Sequence, residues 1–253
     1  MELAAARTEK IEKIIAERRI VTVNELCGLI GASPATIRRD LLAIERKGQA
    51  RRVHGGAVSP EGRLSEPLFD DKTSIAAGEK KRIAEAAMAF IKPRDTVFLD
   101  GGSTILALAS RLQGMNDLTV VTNSLRVVMS LSGNGPQVIL VGGEFRRLSQ
   151  TFVGSLSGAI LDKLRVDTAF MGTIGLSAST GLTTTDPREA YTKELVMNHA
   201  GKIILLADST KIGKVSFVRF GNMDALDVIV TDSGAPVAEL QRFRKKEIRV
   251  ITC

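Results

Sequence analysis

From Thr22 to Gly48 the sequence spells out two helices with almost no room between them, and this limits the fold of the N-terminal part more than any other stretch. Thr22-Val23-Asn24-Glu25 is a capping box, in which the threonine and glutamate side chains satisfy each other's backbone donors, and Val21 with Leu26 forms the matching hydrophobic staple. A helix is expected from about Val23 to Ile30, ended by Gly31. Ser33 then caps a second helix, with Pro34 at the first position, where a missing N–H costs nothing. Ile37, Leu41 and Ile44 give that helix one apolar stripe, Thr36, Arg38 and Arg39 lie off it, and Gly48 stops it. Two helices joined by so tight a turn make a helix-turn-helix.

Ahead of this motif, Ile11, Ile14 and Ile15 recur at helical spacing among Arg7, Lys10, Lys13 and Arg18, which predicts a helix over 4–19. Behind it, residues 49–58 change to short strand material around Gly55-Gly56, a turn flanked by Arg51, Arg52 and His54, and read as a wing. Of the net charge of +7, residues 1–58 carry 11 basic against 7 acidic side chains. Between Ala32 and His54 the ratio is six to two, a density that favours a polyanionic partner. With no Trp and only Tyr191 as tyrosine, the stacking platforms of single-strand binders are largely missing, so the partner expected is duplex DNA. Ser33, Pro34, Ala35, Thr36, Arg38 and Arg39 are the candidate groove contacts. Arg51, Arg52 and His54 are the candidate flanking contacts.

Residues 59–77 hold Pro60, Gly62, Pro67 and Asp70-Asp71 with no sustained period, and read as a linker. From 78 to 253 strands and helices alternate. Helix 79–91 leads to the strand Thr96–Leu99, and further strands are expected at 118–121, 138–141, 167–171, 202–207, 227–230 and 249–251. The expected architecture is an α/β domain with a mainly parallel, Rossmann-like sheet. Ligands of such sheets gather at the carboxyl ends of strands. Here those ends carry Asp100-Gly101-Gly102-Ser103-Thr104, Thr122-Asn123, Gly142-Gly143 with Arg146, and Asp208-Ser209-Thr210-Lys211. Gly101 and Gly102 allow close backbone approach, Ser103 and Thr104 add hydroxyls, and a following helix start suits a phosphate. Lys211 could neutralise a phosphate, hold a sugar hydroxyl or sit in a surface salt bridge. Glu189 and Lys193 stand four apart, the order of an exposed helix pair, and are equally candidates for the site.

The N-terminal pattern of Arg7, Ile11, Ile15, Ser33, Thr36, Ile37, Arg38, Arg39, Asp40 and Leu41, followed by Arg52-Val53-His54-Gly55-Gly56-Ala57, resembles the signature of the DeoR family of bacterial transcriptional regulators. The second domain resembles the family's sensor domain, related in fold to sugar-phosphate isomerases and CoA transferases. That likeness is carried by the strand-end residues above with Phe152-Val153-Gly154, Gly181-Leu182-Thr183, Glu189 and Lys193. The resemblance implies a winged helix-turn-helix over 1–58, a linker over 59–77 and a sensing and oligomerising domain over 78–253. It further implies a repressor of a sugar or polyol operon, bound to operator DNA as a homo-oligomer and released by a phosphorylated sugar. The effector residues expected are Asp100, Gly101, Gly102, Ser103, Thr104, Thr122, Asn123, Gly142, Gly143, Arg146, Gly181, Thr183, Glu189, Lys193, Asp208 and Lys211. Asp40 is expected to orient an arginine or pack internally instead of touching DNA. The alternative is a sugar-phosphate isomerase or deaminase with an accessory DNA-binding domain, for which Asp100, Glu189 and Lys211 are acid–base types.

Cys27 and Cys253 are the only cysteines, so no disulfide framework is expected, and no apolar run reaches the roughly 18 residues of a membrane span. A cytoplasmic protein with no cofactor, metal site or catalytic residue is the expectation.

Overall fold

A computed structural model describes residues 2–18, 20–53, 55–58, 66 and 68–253. They fall into two compact units, 1–65 and 66–253.

In the first unit α1 (Glu2–Arg18) is followed by β1 (Ile20–Thr22), α2 (Val23–Ile30), α3 (Pro34–Arg46), β2 (Arg51–Val53) and β3 (Gly56–Val58). The capping box forms as the sequence requires. Glu25 N–H donates to Thr22 Oγ1 at 3.1 Å while Thr22 N–H donates to the Glu25 carboxylate at 2.7 Å. Gly31 ends α2 in the left-handed region at φ 72°. Ile11, Ile15, Leu26, Ile37 and Ile44 are fully buried in one core. The wing is a three-stranded antiparallel sheet in the order β1-β3-β2. Its third strand, β1, was not expected, because three residues bound to helix signals on both sides carry no strand pattern of their own. Gly56 permits the pairing: a Cβ there would meet the Val21 carbonyl oxygen at 2.2 Å.

The second unit opens with α4 (Phe69–Ser74) and α5 (Ala77–Ala87). Part of the stretch expected to be linker is therefore a helix, anchored by Phe69 at 2% exposure. There follow β4 (Thr96–Leu99), α6 (Ser103–Ala109), β5 (Thr119–Thr122), α7 (Leu125–Ser130), β6 (Gln137–Leu140), β7 (Glu144–Arg146) and β8 (Thr151–Val153). The chain continues through α8 (Ser155–Leu161), β9 (Thr168–Met171), β10 (Gly175–Ser177), β11 (Gly181–Thr184), α9 (Pro187–Asn198), β12 (Ile203–Leu206), β13 (Val218–Gly221), β14 (Val228–Thr231), α10 (Val237–Lys245) and β15 (Arg249–Thr252).

Seven strands form one parallel sheet in the order β15-β14-β12-β9-β4-β5-β6. Both faces are covered, which explains the unbroken apolar runs. Phe98, Val121, Ala169 and Leu205 pack into one core, and their neighbours Val97, Leu99, Val120, Phe170, Ile204 and Leu206 pack into the other. The chain enters at β4, runs outward to β5 and β6, and returns to β9 on the other side of β4. Connections therefore reverse direction between β4 and β9, and the loops leaving those strands part to open a crevice. Two smaller antiparallel groups, β7-β8 and β10-β11-β13, complete the unit.

Candidate functional site

In the first unit the front of α3 is a polar, outward-facing surface. Ser33 Oγ accepts from Thr36 N–H at 3.3 Å, and Pro34, Ala35, Arg38 and Arg39 are exposed around it. Asp40 is buried and takes a two-pronged hydrogen bond from Arg7, at 2.6 and 3.0 Å, which locks α1 against α3 and occupies the carboxylate. The wing is registered against the same helix, because Arg52 N–H donates to Glu45 at 2.8 Å. The Arg52 side chain is exposed, the Arg51 side chain is not among those described, and His54 lies outside the described residues.

In the second unit a cleft of about 660 Å³, part of it open solvent, lies at the reversal point of the sheet. Loops leaving three adjacent strands line it: Gly101–Thr104 after β4, Gly172–Ile174 after β9, and Ala207, Asp208 and Lys211 after β12. Lys72 and Lys80 close one side, and Glu66, Glu189 and Lys193 close another.

Local hydrogen bonds set each of these groups. Asp100 accepts from Gly172 N–H at 2.8 Å, tying together the ends of β4 and β9, and also from Lys193 Nζ. Lys193 lies 3.6 Å from Glu189 Oε1 and is 3% exposed. Burial drives its ammonium toward neutrality, but Asp100 and Glu189 outweigh burial and raise its pKa above the ordinary lysine value. The Glu189 pKa is also pushed upward, which for a carboxyl favours the neutral form, by burial that Lys193 only partly offsets. Glu189 and Lys193 are thus a buried pair and not the exposed helix pair that their spacing also allowed.

Glu66 accepts from Lys72 Nζ at 2.5 Å, Arg146 Nη2 at 2.7 Å and Thr185 Oγ1 at 2.5 Å. Burial would raise its pKa, yet the Arg146 hydrogen bond and the Lys72 charge hold it down at about 2. Lys80 Nζ donates to the carbonyls of Lys72 and Ile75, both at 2.5 Å. Burial lowers the pKa of Lys80 and likewise that of Lys211. Lys211 leaves a short 3-10 turn that Asp208 caps through Thr210 N–H at 3.0 Å. Among the described residues no hydrogen bond or ion pair engages the Lys211 ammonium. A half-buried ammonium that no hydrogen bond or ion pair engages, beside two further lysines, makes this wall receptive to an anion, while Glu189 and Asp208 can accept from hydroxyls.

Of the expected effector residues, Gly101, Gly102, Ser103, Thr104, Glu189, Lys193, Asp208 and Lys211 line this cleft, and Asp100 stands behind it, bonded to the lining residues Gly172 and Lys193. The others do not line it. Thr122 Oγ1 donates to the Leu99 carbonyl at 2.6 Å, and Asn123 Nδ2 donates to the Phe152 carbonyl at 2.9 Å. Gly142 O accepts from Ser157 at 2.9 Å, and Gly143 belongs to the same turn. These follow β5 and β6, which lie on the far side of β4 from the reversal point, so they anchor the β7-β8 hairpin. Gly181 starts β11 at φ 87°, and Thr183 donates to Gly175 O at 3.0 Å, so both build the small sheet. Arg146 stands behind the wall, paired with Glu66, with Asp186 at 3.3 Å and with Glu189 at 3.3 Å.

The sequence reading missed Glu66, Lys72 and Lys80. For Lys80 a signal existed: it falls on the same helical stripe as Ile83, Ala84 and Ala87, where a lysine has to be explained. Glu66 and Lys72 lie in a stretch with no period to place them.

The DeoR-like helix-turn-helix domain family matches residues 7–63, and the DeoR C terminal sensor domain family matches residues 75–233. The chain is 34% identical over 98% of its length, and 98% of the relative's, to the HTH-type transcriptional regulator GlpR of Haloferax volcanii. It is 31% identical to a putative aga operon transcriptional repressor of Escherichia coli O157:H7, covering 97% of this chain and 92% of that one. To the lactose phosphotransferase system repressor of Staphylococcus epidermidis it is 34% identical, over 90% and 91% respectively. Among solved structures, ribose 5-phosphate isomerase A of Methanocaldococcus jannaschii is similar to 54% of the chain, and 55% of its own, at a TM-score of 0.41 and 18% identity. Among the described residues no helix is long and apolar enough to cross a membrane. On the family matches and the full-length relatives, the chain belongs to the DeoR family of helix-turn-helix transcriptional regulators, a family of DNA-binding regulators and not of enzymes.

Proposed function

We propose that this regulator represses a sugar or polyol catabolic operon and that a phosphorylated sugar, held in the cleft of the second unit, relieves the repression. One observation carries the effector reading: Lys72, Lys80 and the unpaired Lys211 stand on one side of a cleft whose other groups, Glu189, Asp208, Ser103 and Thr104, suit hydroxyls. A molecule with an anionic end and a polyhydroxyl body matches that division. The names of relatives tied to an aga operon and to lactose uptake support the same reading. DNA is read by Arg38, Arg39 and Thr36 in the major groove, with Ser33, Pro34 and Ala35 at the phosphate edge and Arg51, Arg52 and His54 flanking. One short helix spans too few base pairs for an operator, so two copies act on a site of two-fold symmetry. The boundaries proposed are 1–58 for the DNA-binding domain, a linker from 59 to 65 and a sensing domain over 66–253, and the action is in the cytoplasm.

The test is a thermal-shift screen of the full chain against sugar and polyol phosphates, with their unphosphorylated partners as controls. At a hundred times its dissociation constant, a ligand stabilises by about 2.7 kcal/mol, or about 5–10 °C for a domain of this size. A shift confined to phosphorylated compounds is the expected result. A shift with unphosphorylated sugars alone overturns the effector assignment.

A further inference from the structure

Glu66 is the first residue of the second unit, so the chain arriving from the DNA-binding unit is fastened at the effector cleft by this one side chain. Its carboxylate is 2% exposed and uses both oxygens on Lys72, Arg146 and Thr185. Two features make that contact unusual. Lys72 is among the cleft's own lysines, so Glu66 occupies a cation that an incoming anion needs. Leu68 is 60% exposed, and firm anchoring follows at Phe69, under the Arg126 guanidinium at 5.4 Å.

We infer that Glu66 is an internal competitor of the effector: an anion seated on Lys72 displaces the Glu66 carboxylate and releases it from the cleft, while α4 stays docked. The inference rests on the reading of the cleft as an anion site. The exchange is chemically balanced. Lys72 trades one carboxylate for one anion, and Arg146 keeps Asp186 at 3.3 Å and Glu189 at 3.3 Å as partners. A carboxylate left in place would stand against the bound anion at close range, where like charges in a cleft of reduced dielectric repel strongly. Effector binding would thereby lengthen the tether leading to the DNA-binding unit.

The experiment compares the full-length wild type with Glu66→Gln and Thr185→Val, using inorganic phosphate as the probe. Titration calorimetry gives the affinities, and hydrogen exchange follows the peptide covering 66–76. Displacement predicts that Glu66→Gln binds phosphate about tenfold more tightly, since a competing charge is removed. Thr185→Val, which loosens Glu66 without altering any charge, binds phosphate more tightly too, by a smaller factor. Phosphate speeds exchange around Leu68 in the wild type, and Glu66→Gln shows that speed without phosphate. A carboxylate with a purely structural role gives the opposite signs: weaker phosphate binding in both variants and slower exchange near Leu68 when phosphate binds. Those results overturn the inference. Equal phosphate affinity in all three proteins also overturns it while leaving the anion site standing, whereas no binding in any of them removes the anion site itself and the competition with it.

Discussion

Lys193→Met tests whether the closed end of the cleft is held by charge balance. Lys193 donates to Asp100 and, at 3.2 Å, to the Gly172 carbonyl, and both side chains of the pair are less than 5% exposed. Methionine nearly matches lysine in length and volume, so the variant leaves little void, and its cost is electrical. Asp100 would remain buried with a single donor, Gly172 N–H at 2.8 Å. Removing one partner of a buried pair costs about 3–5 kcal/mol. For a unit of this size that lowers the melting temperature by roughly 6–20 °C.

The double variant gives the sharper test. Asp100→Asn combined with Lys193→Met should recover most of the loss, because no charge is left unpaired, with melting followed by calorimetry. A gap under about 2 °C between Lys193→Met and the wild type, or a double variant no more stable than Lys193→Met, would refute the argument.

Lys211→Met should weaken binding of a phosphorylated effector tenfold or more, as expected for loss of a hydrogen bond to a charged group, while the ligand-free melting temperature stays level or rises; an unchanged affinity would move the anion elsewhere. Burial depresses the pKa values of Lys80 and Lys211, so their charge, and the anion affinity that depends on it, is present at neutral pH and is lost as pH rises toward the alkaline range. Calorimetric titrations between pH 7 and 10 would read this, and a flat profile counts against both lysines. Arg38→Ala should cost about 1–3 kcal/mol on the cognate operator, whereas Arg52→Ala should weaken all duplexes alike and lower the salt slope by about one. Binding measured over a salt series separates the two.

What the sequence disclosed and what it concealed divide along the range of the interactions. The turn from α2 to α3 was legible because a capping box, a left-handed glycine and a Ser-Pro start act within four residues of themselves. The parallel strands were legible because burial on both faces leaves apolar runs ended by small polar residues. β1 was concealed because its partners stand at 56–58, far along the chain. The residues of the cleft show the same division. Gly101 to Thr104 were found by their place after β4, but Thr122 and Gly142 follow strands by the same rule and miss the cleft, since only strand order, which no local pattern encodes, puts them beyond the reversal point. Lys193 could have been recognised as buried, because it shares a helical stripe with Ala190, Val196 and Met197. Nothing near Glu66 announces that its partner Arg146 lies 80 residues on.

The charged groups in and behind the cleft bear on how it would accept the anion proposed for it. Lys72, Lys80, Arg146, Arg188, Lys193 and Lys211 stand against Glu66, Asp100, Glu144, Asp186, Glu189 and Asp208, six charges of each sign. Most are joined in one chain of ion pairs, running from Glu144 through Arg188, Asp186 and Arg146 to Glu66 and Glu189, then to Lys72 and Lys193. A phosphate ester brings about −1.5 to −2 into this balanced set near pH 7. Either of two adjustments offsets one of those charges: Glu66 leaves as a carboxylate, or Glu189, whose pKa burial already raises, takes up a proton. Departure of Glu66 moves no proton, whereas protonation of Glu189 draws about one from the buffer for each ligand bound. Titrations at one pH in buffers of different ionisation enthalpy distinguish these routes. Because Glu66 sits on the cation that the ligand needs and Glu189 does not, the expected uptake is well below one proton at pH 7; a full proton would assign the adjustment to Glu189 and leave Glu66 in place.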